Sequence, residues 1–257
     1  MKANFLTKAF LAKALLEKPF WANNILAQHL FAKNFSVSVV CLALLFVQIS
    51  SSAQSLIRPN TKPLAPEYEL HRDGSVSLRV CHNSSCAVQQ AMNFTAQEMQ
   101  SVIRQLQVCP NNPANYLQRA RIAVWQMELL AKKHYPPLGN DLPVNDQEYG
   151  VEGRTDCVDN STNTSTFLKV LQDLGQLPGW SVQAPSVRKA WDINRVHWTA
   201  VLKDSNNKLW SVDSWFRRHG HLPFMMPLEN WQREELAWEG EHNRHNPYPD
   251  VISALCQ

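Results

Sequence analysis

Three residues whose types suit nucleophilic chemistry lie far apart in the chain: Cys157, His197 and Asp213. Cys157 stands where a glycine-containing loop leads into a predicted helix. The unpaired N–H groups at a helix N-terminus favour the thiolate form of cysteine and can stabilise an oxyanion. A nucleophilic cysteine also needs a base, and the base needs a group that orients it. His197 and Asp213 are the candidates for these two roles.

The base and the acid lie on the two strands of a predicted hairpin, with sequences VHWTAVLK (196–203) and KLWSVDSWF (208–216). A turn centred on Ser205 would place His197 directly opposite Asp213. Both side chains would then lie on one face, with Cβ atoms about 5 Å apart. The carboxylate can accept a hydrogen bond from one ring nitrogen while the other nitrogen faces the thiol.

Other assignments remain open for these positions. Cys157 alone would fit a half-cystine or an inert buried thiol. His219 and His221 are rival bases, although both fall in a predicted loop after the hairpin, and Asp204 is a rival acid that fits a turn.

An oxyanion site needs a second donor besides the N–H of the nucleophile. Trp125, Gln147 and Tyr149 are candidates for this donor, and the sequence does not select among them. Packing for Trp125 and loop anchoring for Tyr149 are the alternatives.

The order of these residues resembles that of the transglutaminase-like cysteine protease superfamily, which has a papain-like core. The matching pieces are DCVD (156–159), VHWTAVL (196–202) and LWSVD (209–213), and the resemblance covers about residues 113 to 216. It implies that Cys157 is the nucleophile, His197 the base and Asp213 the orienting group. Asp159 fits the acidic position that follows the cysteine in this superfamily.

The resemblance implies an α+β fold, in which the nucleophile helix packs on an antiparallel sheet. The residues before it predict a small N-terminal β-meander and helix in front of this core. The resemblance implies a thiol protease or amidase, or a transamidase, that forms an acyl-enzyme with a peptide or protein substrate and needs no cofactor. Two alternatives are a catalytically silent exported module that binds a peptide or envelope component, and a peptidoglycan peptide hydrolase of the NlpC/P60 type.

Residues 1–53 have the pattern of a secretory signal peptide. Basic residues precede the uncharged apolar run Val37–Val47, and small residues occupy positions 51 and 53. The run is short for a bilayer span. We expect a periplasmic or secreted protein. An uncleaved signal anchor, attached to the membrane through residues 37–49, and a cytoplasmic protein with a buried apolar helix are the alternatives.

Most of the positive charge belongs to this leader. Residues 1–53 hold five of the 25 basic residues and one of the 22 acidic residues, so the remainder has a net charge of −1. Nucleic-acid binding needs clustered positive charge, and we expect none here.

Five cysteines remain after the leader, which in an oxidising compartment predicts two disulfides and one free thiol. Cys81 and Cys86 flank a turn, and a bond between them would leave Cys109 for Cys256. Four cysteines allow three pairings, so the sequence leaves this choice open. No histidine or cysteine pair has the spacing of a metal-ligand motif, and we expect no metal site.

Four segments organise the chain: the leader (1–53), a proline-rich linker (54–66), an N-terminal region (67–110) and a catalytic domain (111–257). The N-terminal region predicts three short strands and a helix that starts with the capping box Thr95–Glu98.

The catalytic domain predicts a helix over 113–134, a loop over 136–154, the helix after Cys157, the hairpin and a short helix near 228–238. The first half of the Cys157 helix is rich in Ser, Thr and Asn, which are poor helix formers. Such a local exception is expected at a functional site.

Overall fold

The protein is a mixed α+β structure with two antiparallel sheets and four helices in the residues that the computed structural model describes, which are 62–145, 150–189, 196–233 and 256. The predictions for the leader and for residues 54–61 of the linker lie outside these ranges. Residues 55–257 cluster as one compact unit.

The first sheet is the predicted three-stranded meander, formed by β1 (Tyr68–Leu70), β2 (Val76–His82) and β3 (Val88–Phe94). Val76, Leu78 and Val80 of β2 are buried in alternation with Ser77 and Arg79, because successive side chains of a strand point to opposite faces. Helix α1 (Ala96–Leu106) follows, and both hydrogen bonds of the Thr95–Glu98 capping box are present.

Two long helices have most of their residues buried: α2 (Tyr116–His134) and α3 (Cys157–Asp173). Single 3₁₀ turns flank α2 at Pro113–Asn115 and Pro136–Asn140. Helix α3 begins at Cys157, so its polar first half is helical despite its composition.

Several hydroxyls of α3 donate to backbone carbonyls of the preceding turn, whereas Thr164 bonds to Ser214 and the buried Ser165 hydroxyl has no partner among the described residues. Ser161 donates to the carbonyl of Cys157, Thr162 to that of Val158 and Thr166 to that of Thr162. Buried hydroxyls with partners carry little desolvation penalty, which explains how a polar segment packs in the interior.

The second sheet has the order β4-β5-β6-β7, with β4 (Trp180–Lys189), β5 (Val196–Asp204), β6 (Leu209–Asp213) and β7 (Phe224–Pro227). Short helix α4 (Leu228–Gln232) follows. The sequence predicted the β5–β6 hairpin but neither outer strand. β4 contains Pro185 and a register shift between Gln183 and Ser186. Because proline is rare inside strands, the sequence of β4 does not signal a strand.

One apolar core joins the two sheets and the helices. It contains Val80 and Phe94 from the meander, Ile122 from α2, Leu171 from α3 and Leu202 from β5. The N-terminal region and the predicted catalytic domain therefore share a single interior.

The described residues contain two disulfides, Cys81–Cys86 and Cys109–Cys256, and the free thiol of Cys157. Disulfides are typical of oxidising compartments, as in exported proteins. Among the described helices, none has the length and hydrophobicity that a bilayer crossing requires.

Candidate active site

The thiol of Cys157 stands on the first residue of α3, at the end of a strongly capped helix. The Asp156 side chain accepts from the N–H groups of Val158 and Asp159, and Asp159 accepts in return from the N–H of Asp156. This reciprocal capping box determines where the helix starts and thereby the direction of the Cys157 side chain.

The β5–β6 hairpin has a register that differs from the predicted one. Ala200 pairs with Val212, and continuation of this register places Asp213 opposite Thr199 rather than His197. The turn is thus centred one residue later than predicted. Because the register moves by two residues, His197 and Asp213 remain on the same face as diagonal neighbours.

His197 and Asp213 are hydrogen-bonded, with 2.7 Å between Nε2 and Oδ2. Both side chains are buried. Asp213 accepts two further bonds, from the indole Nε1 of Trp231 at 2.8 Å and from the backbone N–H of Trp215 at 3.2 Å. The other ring nitrogen of His197, Nδ1, is buried and has no hydrogen-bond partner in the described part of the chain.

The sulfur of Cys157 lies against the backbone on either side of His197. It is 3.7 Å from the carbonyl oxygen of Val196, and the N–H of Trp198 donates to it. The structure therefore brings Cys157 to the strand segment that carries His197. The charge of Asp213 is close enough to raise the pKa of the Cys157 thiol.

The pKa of Cys157 is raised to about 12, mainly by burial, with contributions from the charges of Asp156, Asp213 and Asp159. The Trp198 N–H opposes this effect. The sequence predicted that the helix N-terminus would favour the thiolate, but desolvation is the larger effect. The resting group is a thiol, and it needs a base to become a nucleophile.

Aromatic rings enclose the imidazole of His197. Its centroid is 4.4 Å from the ring of Trp215, 5.4 Å from that of Trp231 and 5.6 Å from that of Phe216. Sequence reasoning missed these residues, since Trp231 lies on the separate helix α4. Trp215, two residues after Asp213 on the same chain segment, was the available signal.

The remaining predicted site residues have different positions. Asp159 belongs to the capping box, and burial next to Asp156 raises its pKa well above the usual range. Trp125 is buried on α2, and its Nε1 has no partner among the described residues. Gln147 and Tyr149 lie outside the described ranges, so the second oxyanion donor stays a prediction.

One cluster of metal-ligand types exists in the described residues, formed by Cys81, Cys86 and Asp159. Both sulfurs are joined in a disulfide, so neither is a thiolate ligand.

Two further buried acids, Glu128 and Asp141, contact the segment after β6. Glu128 accepts from the N–H of Gly220 at 2.7 Å, and Asp141 accepts from the N–H groups of Thr155 and His219. Burial raises the pKa of Glu128 to about 8 and that of Asp141 to about 6. Glu128 is therefore mostly protonated in the folded protein at neutral pH.

Replacing Glu128 by Gln should remove a loss of stability that the wild type suffers as the pH rises from about 4.5 to about 8. A raised folded-state pKa means that the unfolded chain releases the proton first, so stability falls between the usual value of 4.5 and about 8. At pH 8 we expect Glu128→Gln to be more stable than the wild type, by on the order of 4 kcal/mol. Urea unfolding at pH 5 and pH 8 measures this difference, and equal pH dependence in both proteins would contradict it.

The geometry can support nucleophilic attack by sulfur at a carbonyl carbon. A buried imidazole held by a carboxylate can accept the thiol proton. The N–H of Cys157 itself, which the Asp156–Asp159 capping box does not use, can stabilise the charge that develops on the oxygen. No protein-family model, curated protein or solved structure matches this chain.

Proposed function

We propose that the protein is an exported cysteine hydrolase of the transglutaminase-like type, with a papain-like core. The observation that carries this proposal is the Cys157 sulfur against the backbone at His197, whose ring is bonded to Asp213. The Cys109–Cys256 and Cys81–Cys86 disulfides support an oxidising compartment, and the leader pattern supports export.

In this mechanism His197 removes the proton from Cys157 as the sulfur attacks the carbonyl carbon of an amide. Asp213 stabilises the imidazolium, and its bonds from Trp231 and Trp215 hold the carboxylate in place. His197 then protonates the leaving amine, which leaves an acyl group on the sulfur. Water completes hydrolysis and an amine completes transamidation, and the substrate is a peptide or protein.

The enclosure around His197 fits this role. Because Asp213 is 2 % exposed and His197 is 8 % exposed, water competes little for the hydrogen bond between them. In such surroundings, the charge pair that forms during proton transfer is stabilised more strongly than in water.

Reaction of the wild-type chain with iodoacetamide, followed by peptide mapping, tests the assignment. We expect carboxamidomethylation of Cys157 and a parallel loss of hydrolysis of peptide amides. Adding a fluorescent primary amine separates the two outcomes, because only a transamidase incorporates it. Equal labelling of another cysteine would contradict the assignment, and labelling without any turnover would favour the silent binding module.

A further inference from the structure

The turn between β2 and β3 has an unusual backbone. Four consecutive residues that are not glycine have positive φ: Asn83 (67°), Ser84 (66°), Ser85 (56°) and Cys86 (53°). Side chains rarely adopt this left-handed conformation, and a run of four is unfavourable unless the surroundings enforce it. The Cys81–Cys86 disulfide closes this run into a loop, which we call the Cys81–Cys86 loop.

The loop directs its donors at the residue that precedes Cys157. Oδ2 of Asp156 accepts from the hydroxyl of Ser84 at 2.8 Å, and from the N–H and hydroxyl of Ser85 at 2.9 and 3.1 Å. Backbone N–H groups in a turn can bind an anion, and the Ser85 N–H is the one directed at Asp156. Here the anion is the helix-capping carboxylate of the chain itself.

The same loop holds the second carboxylate of the capping box. Cys86 donates its N–H to Oδ1 of Asp159 at 2.6 Å. Both side chains that determine the start of α3 are therefore bound to the loop as well as to the helix. Asp156 is 2 % exposed and Asp159 is fully buried, so water does not replace these donors.

The two ends of the disulfide are attached to the same helix. The Asn163 side chain, two turns into α3, exchanges two hydrogen bonds with the backbone of Cys81, at 2.7 and 2.9 Å. Cys86 is attached through Asp159, near the start of α3. The disulfide thus connects two points along the nucleophile helix and limits the movement of the loop relative to Cys157.

We infer that the Cys81–Cys86 loop is a positioning element for Cys157, which sets the start of α3 and offsets the charge of the two carboxylates beside the thiol. This inference rests on the proposed function, because it assigns the loop to the nucleophile. It also gives the N-terminal meander a role in the site, although no meander residue belongs to the Cys157–His197–Asp213 set.

The second disulfide provides a matched control within the chain. Cys109–Cys256 joins residues 147 positions apart, whereas Cys81 and Cys86 are five apart. A disulfide that closes a longer loop restricts the unfolded chain more. Removal of Cys109–Cys256 should therefore affect global stability more, and removal of Cys81–Cys86 should affect the reactivity of Cys157 more.

The experiment compares the double variants Cys81→Ala/Cys86→Ala and Cys109→Ala/Cys256→Ala with the wild type, well below their melting temperatures. We expect the first to slow alkylation of Cys157 by iodoacetamide at least tenfold at pH 7 and to lower Tm slightly. Its pH profile should move to higher pH, because Asp156 and Asp159 raise the pKa of the thiol. The control should lower Tm more and stay within twofold of the wild-type rate.

A wild-type rate and pH profile in Cys81→Ala/Cys86→Ala would overturn the inference and leave the proposed function intact. If that variant does not fold, Ser84→Ala/Ser85→Ala keeps the disulfide and removes two hydroxyl donors to Asp156. We then expect alkylation about threefold slower, and an unchanged rate would overturn the inference. Failure of the wild type to react at Cys157 would instead contradict the proposed function.

Discussion

His197→Ala should slow alkylation of Cys157 at pH 7 by at least about 100-fold. Burial raises the pKa of Cys157 to about 12, so the thiolate alone is a very small fraction at neutral pH. In the wild type, the imidazole bonded to Asp213 accepts the proton during attack, and general-base assistance contributes about 10²–10⁴-fold. Second-order rates with iodoacetamide from pH 6 to 10 measure the effect.

The pH profile separates loss of a base from loss of folding. Without His197, the rate should rise about tenfold per pH unit, because only the free thiolate reacts. The control is His71→Ala, which removes a histidine that is hydrogen-bonded to Ser77 on the meander. We expect the control to react like the wild type. Wild-type reactivity in His197→Ala at pH 7 would refute the role of His197 as base.

Gly153→Ala should destabilise the protein severely, by more than about 4 kcal/mol. Gly153 has a φ of +83°, and an added Cβ would lie 1.8 Å from the carbonyl oxygen of Pro137 and 2.2 Å from its carbonyl carbon. These are backbone atoms of the 3₁₀ turn after α2, which cannot rotate away as a side chain can. The clash would displace the segment that leads into Asp156, so we also expect slower alkylation of Cys157.

Gly150→Ala is the matched control for this substitution. Gly150 has a φ of +84°, and no described atom lies within 4 Å of the position of its added Cβ. Only the left-handed backbone is penalised there, at about 1–2 kcal/mol. Urea unfolding of both variants measures the difference. Equal loss of stability would mean that the backbone around Pro137 adapts and that close packing at Gly153 is unimportant.

The elements that the sequence predicted correctly are those with local signals. The meander has turn residues between short strands, α1 has a capping box, and α2 ends at His134, just before Pro136. The β5–β6 hairpin has apolar strands around the DSNN turn. The predicted register was wrong by two residues. Because side chains of a strand alternate between its two faces, an error of two residues still places His197 and Asp213 on one face.

The features that local signals could not supply depend on distant partners. β4 is a strand because it pairs with β5, although Pro185 and the register shift between Gln183 and Ser186 interrupt the apolar alternation that begins at Trp180. Trp231 reaches Asp213 because α4 packs beside β6, and no spacing rule connects the two.

The sequence by itself determined the residue types for the chemistry, the helix that begins near Cys157 and the hairpin that carries His197 and Asp213, because these follow from short-range periodicity and turn chemistry. Only the tertiary structure decided the disulfide pairing, the attachment of Asp156 and Asp159 to the meander and the raised pKa of Cys157. The physical reason is that desolvation and buried hydrogen bonds depend on which groups the folded chain brings together, whatever their separation in sequence.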